Sequence, residues 1–292
     1  MTTETAQETV KLSYSIAKIL LDKTPLHAWS AHRLLGGQKK ADTQATIDGR
    51  IYEALMFGKE ADVIRIVKAA NFKTDAAKAA RDEILGMGLI PVLQADYPEY
   101  AEAAMAMATN MNKDHWITFE EPSHPPEQQK IDLDMFGYWV GTQVTLVWTK
   151  DGVECKGVLD RLSLFRDSYI IDDVKCMDDA SPHAFGRSVT EYGYDIQHAA
   201  YIEAVETLWP HLAGRGDFRF LTFEKKAPFA AVPYHLDGSL QSLGEEKWAR
   251  AKRIWAPCLA TNTWPSYKAT RLGAKPWQIL AEAEASAAEV QP

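Results

Sequence analysis

Apolar positions cluster most densely between residues 157 and 176, where Val158, Leu159, Leu162, Leu164 and Phe165 run into the polar tip Arg166-Asp167-Ser168. Tyr169, Ile170 and Ile171 lead out again. Short β-branched and aromatic runs on both sides of a turn-forming tip predict a β-hairpin. Just upstream, GYWVGTQVTLVWTKDGVECKGVLDRL predicts two more strands around Lys150-Asp151-Gly152, since Asp-Gly between alternating apolar runs is a strong hairpin signal. Further strands are expected over residues 61–67, at LIPVLQ, at FRFLTFEKK (218–226) and at AAVPYHLD (230–237). The last two should extend the sheet that carries the hairpins.

Between these runs the spacing turns helical. Ser13 caps a helix from Tyr14 to Leu21, and Thr24-Pro25 starts another, proline being suited to a first helical position. DGRIYEALMFG (48–58) predicts a helix with Asp48 at its N-cap; Thr74 caps one reaching Met87; Asp96, followed by Glu99, opens one through Met107. Ser181-Pro182 begins a helical piece, and a second runs from about Asp195 to Leu208. EEKWARAKRIW is a helix whose Arg250, Lys252 and Arg253 form a solvated face or, beside Trp248 and Trp255, a guide for nucleic acid. Polar loops are expected at 36–44 and 115–130, the second either disordered or a flap at the substrate channel, and ordered coil around Trp264-Pro265 and Pro276-Trp277. The expectation is an α/β fold: a mixed central sheet flanked by helices, with N-terminal helical additions. It forms one domain over residues 12–279 between a disordered tail (1–11) and a frayed C-terminal tail (280–292).

The central hairpin also carries chemistry. If its loop is the two residues Arg166-Asp167, Phe165 pairs with Ser168, and counting outward sets Asp160 opposite Asp173. Directly opposed residues have Cβ atoms about 4.5–5.5 Å apart, and alternation puts Asp173 and Lys175 on one face with Val174 on the other. A three-residue loop would shift the register and break the pairing. Two carboxylates that close repel unless a cation compensates them, and a hard, oxygen-seeking ion such as Mg²⁺ does so while keeping waters. On these residues alone, solvated strand-end charges are the competing reading.

Asp160, twelve intervening residues and then Asp173-Val174-Lys175 in an apolar strand resemble the PD-(D/E)xK nuclease signature. With KGVLDRL and YIIDDVKC followed by Tyr194, Gln197 and Tyr201 in YDIQHAAYIEAV, the phrasing resembles the RecE-type, exodeoxyribonuclease VIII-like branch, over about Leu12 to Ile279. That resemblance implies a restriction-endonuclease-like core acting on linear duplex DNA ends from 5′ to 3′. Asp160, Asp173 and the Val174 carbonyl would hold Mg²⁺ or Mn²⁺, and Lys175 would orient the attacking water or stabilise the transition state. Gln197, Tyr201 and Tyr194 would position the strand, with Arg187 as a phosphate contact. The resemblance further implies a ring-shaped homo-oligomer and a single-strand annealing partner in phage-type recombination. Relatives often carry a metal-binding His four residues after a Gly; here Gly49 is followed at that distance by Glu53, a candidate third ligand. They also frequently have an acidic residue near Gln143, a neutral and weaker donor that is not assigned to metal.

Composition narrows this only modestly. A 46% hydrophobic, 25% charged chain of 292 residues is ordinary globular protein. No apolar run approaches a membrane span and no signal-peptide core opens the chain, so a cytoplasmic protein is expected. Cys155, Cys176 and Cys258 are too few for the four-thiolate iron–sulfur cluster found in some nucleases of this kind. The net charge of −8 argues against a surface coated with DNA and leaves room for a local basic channel. Together with Glu53 and Gln143 it also supports an alternative, a catalytically inactive DNA- or protein-binding module on a nuclease fold; a restriction-type endonuclease would share the hairpin.

Overall fold

A computed structural model describes residues 9–37, 42–115, 117, 119 and 137–289. The chain opens with helices α1 (Tyr14–Asp22), α2 (Pro25–Ala31), α3 (Gln44–Met56) and the single turn α4 (Glu60–Val63). Strand β1 (Ile64–Val67), helix α5 (Asp75–Gly86) and strand β2 (Ile90–Leu93) make a small parallel βαβ unit, followed by α6 (Tyr97–His115). The main sheet has the order β3 (Tyr138–Lys150), β4 (Val153–Phe165), β5 (Tyr169–Met177), β6 (Gly216–Glu224), β7 (Ala231–Tyr234). All its neighbours are antiparallel except β5 and β6. That parallel pair needs a crossover, which α7 (Pro182–Tyr192) and α8 (Tyr194–Leu208) supply. Helices α9 (Gly238–Thr261) and α10 (Pro276–Glu289) end the chain.

The mixed α/β architecture is the one the strand and helix patterns predict, and several local signals act as expected. Asp151 and Gly152 both have positive φ (53° and 74°), the primed turn that matches strand twist, and Lys150 pairs with Val153 across it. Ser13, Thr74 and Ser181 cap their helices through their side chains. Other boundaries moved. Helix α3 starts four residues before the expected Asp48 and is capped by Thr43, because Asp48 instead accepts the hydroxyl of Tyr100, 2.7 Å away on α6. Residues 61–63 form a helical turn ahead of β1, and α6 runs on to His115, since Met107 and Met111 are fully buried. Most of the loop at 115–130, with its proposed flap, lies outside the described residues, as does part of the loop at 36–44.

One sheet face packs on α1, α8 and α9, around Leu162, Leu164, Tyr169, Ile171, Phe218 and Phe220. The other packs, at its β6–β7 end, on α3 and α6 through Leu221, Phe223, Tyr52 and Met107. On α9, Arg250 and Arg253 are exposed as a solvated face requires, but the aromatic guide expected beside them does not form. Trp248 and Trp255 are buried in the first core, and Lys252 is 4% exposed, held by Glu203 (2.6 Å) and Asp151 (2.7 Å). Residues 9–11, assigned by sequence to the tail, lie along β4: Thr9 donates to Glu154 (2.6 Å), and Leu12 bridges to Cys155. Helix α10 carries regular structure as far as Glu289.

Candidate active site

The site is made by two interruptions in otherwise regular strands. Along β4 the buried positions are odd from Val153 to Leu159, then the buried apolar ones are even, Leu162 and Leu164, with Ser163 buried between them. Along β3 they switch likewise, from Trp139 and Gly141 to Leu146 and Trp148. Because both strands shift together, the register is unchanged on either side, with Thr142 opposite Arg161 and Val144 opposite Leu159. The pair between them, Gln143 and Asp160, is missing from the ladder, and Gln143 takes φ 50°, a left-handed conformation that costs a non-glycine residue energy. Asp160 thus sits at the point where the alternation of core-facing and outward positions shifts by one residue, both runs facing the same core.

The second interruption is a fork. Phe165 N–H donates to the Ser168 carbonyl at 2.8 Å, so the loop has the two-residue length on which the Asp160–Asp173 alignment depends. The β4–β5 ladder then runs from Leu164–Tyr169 to Arg161–Asp172 and stops. Asp160 and Asp173 are the first residues past its end, and β5 stays with β6 on its other side. Splitting the strands orphans an edge N–H, and the Asp160 carboxylate accepts it from Val174 at 2.8 Å. Asp173, 1% exposed, accepts from the Gln197 amide on α8 and contacts the Lys175 ammonium. Its neighbour Asp172 faces the other way, gripped in a bidentate pair by Arg219 (2.6 and 2.9 Å) with Arg161 at 3.7 Å. Of two adjacent aspartates, one braces the sheet and one faces the cleft.

Asp160, Asp173, Lys175, Glu53, Gln197, Tyr194, Tyr201 and Arg187 all line one cleft of about 1120 Å³. Glu53 reaches it from α3 and is bonded to the amide of Gln143, which also lies 3.5 Å from Asp160. Tyr194 lies under the Lys175 ammonium, 4.8 Å from ring centroid to nitrogen, and stacks on Phe220 and Phe185. Arg187 is exposed on α7 at the cleft wall. Tyr201 is 4% exposed and donates to the Val158 carbonyl at 2.8 Å; its ring fits against Gly157, where a Cβ would come within 2.7 Å. It shapes the wall through β4, its hydroxyl already committed. Sequence reasoning passed over Tyr14, Lys18 and Arg50, which share the cleft, and set aside Gln143, which bonds Glu53 and lies beside Asp160. Gln143 alone left a signal, its position where relatives place an acid.

Burial dominates the electrostatics. It raises the Asp160 pKa well above the carboxylate range, with Asp173 and Glu53 adding repulsion that Lys175 and the Val174 N–H only partly offset. Glu53 is pushed up to about 7, again by burial first, against the lowering effect of the Gln143 hydrogen bond. Burial pulls the Lys175 pKa down, but Asp173, Tyr14, Tyr194 and Asp160 together hold it well above its ordinary value, so the ammonium stays charged. The Cys176 thiol is raised to about 12 by burial and is no thiolate donor. Among the described residues no three acidic, histidine or cysteine side chains form a closed ligand cluster. The donors that do converge are carboxylate oxygens whose mutual repulsion a hard divalent ion would relieve, so the residue set fits such an ion by its chemistry.

A family model described as a PDDEXK-like domain matches residues 40–271; its function is given as unknown. The chain belongs to this family. The PDDEXK-like assignment agrees with the Asp160…Asp173-Val174-Lys175 signature at the level of the nuclease superfamily. No curated protein matches the sequence. A crystal structure from Eubacterium rectale, named a "putative exonuclease", aligns over 96% of this PDDEXK-like chain and 98% of its own, at 16% identity and a TM-score of 0.52. At that identity the likeness speaks for the fold. No helix among the described residues is long and apolar enough to cross a membrane.

Proposed function

We propose that this chain is a divalent-metal-dependent deoxyribonuclease that hydrolyses phosphodiester bonds at linear duplex ends. The observation that carries this reading is the fork, which turns Asp160 and Asp173 into one cleft with Glu53 and the charged Lys175. A divalent ion, Mg²⁺ or Mn²⁺, supplies an acidified water and neutralises phosphate charge when bound. Asp160, Asp173, Glu53 and the Val174 carbonyl would hold it. Water attacks phosphorus and releases a proton to solvent, charge accumulates on the non-bridging oxygens, and the P–O bond to the leaving nucleotide breaks as its oxygen takes up a proton from solvent. Lys175 faces that charge: its ammonium remains protonated, so it acts as an electrostatic stabiliser and orients the water without serving as a general base. Gln197 fixes the Asp173 carboxylate through one oxygen while Lys175 holds the other. Arg187 on the wall suits a phosphate of the bound strand. A 5′ to 3′ direction, a ring of subunits and an annealing partner in recombination extend the same reading.

Linear and closed-circular duplex incubated with Mg²⁺, beside an EDTA control, test it. An end-dependent nuclease consumes only the linear form and only with metal. Opening of the circle would replace it with an endonuclease, and intact DNA in both lanes with a binding module.

A further inference from the structure

The catalytic cleft does not end at Asp160. Two smaller cavities, of about 250 and 270 Å³, continue from it in series. The first shares Tyr14, Ser15, Val158 and Tyr201 with the cleft, and the second shares Ser13, Ser15 and Lys156 with the first. Their common floor is the outer face of β4 beyond the point where that strand's alternation shifts: Lys156, Val158 and Asp160 alternate along it, with Val158 38% exposed. Strand geometry puts Lys156 about 13 Å from Asp160 on that face. The amino end of α1 forms the facing wall, held in place because Leu12 hydrogen-bonds to both Glu154 and Lys156 of β4 at 2.9 Å.

The charge along this path is one-sided. In a chain with forty acidic and thirty-two basic residues, the two cavities are lined by Lys11, Arg33 and Lys156 and, among the described residues, by no carboxylate. Lys11 lies at the rim, 3.8 Å from Glu154; Lys156 makes no ion pair among the described residues. Serine hydroxyls at positions 13 and 15 add neutral donors. Cavities of this size fall below the usual 300–1,000 Å³ of small-molecule pockets and are too narrow for a duplex. A narrow track lined by cations and hydroxyls suits an extended polyanion.

Resting on the nuclease reading above, we infer that the groove between the start of α1 and the outer face of β4 binds the phosphate backbone of single-stranded DNA continuous with the strand in the cleft, with Lys156 as its principal phosphate contact. The enzyme then handles an end as a duplex on one side of Asp160 and a separated strand on the other.

Fluorescence anisotropy in EDTA, where nothing is cleaved, tests this with three forms of one duplex: blunt, 5′-tailed and 3′-tailed, each tail about ten nucleotides. Wild-type protein should bind one tailed form more tightly than the blunt one. Lys156→Glu should lose about tenfold in affinity for that form and shed about one unit of salt slope, blunt binding changing far less. Lys156→Gln, which adds no negative charge beside α1, should give the same change at smaller size, and Lys78→Glu on the remote α5 should give none. Wild-type affinity that ignores tails, or a Lys156→Glu loss equal on all three forms, overturns the inference. A protein that digests linear ends yet ignores tails loses the groove alone; one whose tail preference depends on Lys156 but which digests nothing loses the nuclease reading alone.

Discussion

Replacing Lys175 with Met isolates the charge from the packing. The side chain is 16% exposed, its nitrogen sits 4.8 Å from the centroid of Tyr194 and 5.9 Å from that of Phe220, and it contacts Asp173. Met retains the stem that lies on those rings and removes only the ammonium. A unit charge about 4 Å from a phosphate oxygen is worth about 4 kcal/mol at an effective dielectric near 20, or close to three decades of rate at about 1.36 kcal/mol each. Loss of a single preorganised donor in other enzymes costs about 10²–10³ in kcat. Before reaction Lys175 is engaged with Asp173, so its pull on bound DNA is small and affinity should stay within about threefold. Single-turnover cleavage of an end-labelled linear duplex by saturating enzyme reads the chemical step, and anisotropy reads binding. A rate loss under tenfold, or one that vanishes at saturation because only affinity has changed, would refute the assignment of Lys175 to the transition state.

Three further outcomes follow from the same geometry. Glu53→Gln should move the Mg²⁺ midpoint of activity upward by about tenfold, read by titrating the metal at fixed DNA; an unmoved midpoint makes Glu53 a bystander. Asp172→Asn strips Arg219 of its bidentate partner in a site where the carboxylate is fully buried, and should cost about 3–5 kcal/mol of stability in chemical denaturation while cleavage survives at low temperature; Asp173→Asn should do the reverse. His198, 8% exposed against Phe218, has its pKa lowered to about 4 by burial, with Asp217 opposing. Below its ordinary value of about 6.5 the unfolded chain takes a proton that the folded one refuses, so this residue makes stability fall from about pH 6.5 toward pH 4, by roughly 3 kcal/mol in all. His198→Phe should flatten that part of the curve in urea unfolding at stepped pH.

Much of this was legible in the sequence where the controlling physics is local. The Asp151-Gly152 turn, the serine caps at 13 and 181 and the register set by Arg166-Asp167 depend on residues within a few positions of one another, and the fork aspartates follow from that register by counting. What escaped depends on distant partners. Asp48 has the chemistry of an N-cap, but Tyr100, fifty-two positions away, takes its carboxylate. Trp248 and Trp255 beside three cations look the same in sequence whether they face solvent or core; the buried Glu203–Lys252 pair resolves it. Gln143 was set aside on donor strength, which is a property of the residue, whereas its place beside Glu53 and Asp160 is a property of the break in β3.

That break explains why this stretch carries the chemistry. A regular strand pair would put Asp160 and Gln143 into the ladder, with alternate residues committed to core and solvent along the full thirteen-residue length of β4. Shifting the alternation at Asp160 keeps both halves of the strand in one core: Cys155 and Leu159 before it and Leu162 and Leu164 after it pack in the same cluster. The residue at the shift falls outside both runs of core positions, so its carboxylate turns into the gap that opens as β5 leaves. The cost is a left-handed Gln143 and a buried, repelled carboxylate, both expenses that a fold tolerates where the strained group has work to do. The same shift turns Lys156 and Val158 outward, aligned with Asp160 on one face. One distortion thus creates both the acid that lines the cleft and the cationic floor that leads away from it, and the cleft and the groove should appear or fail together when the Gln143–Asp160 position is forced back into a regular ladder.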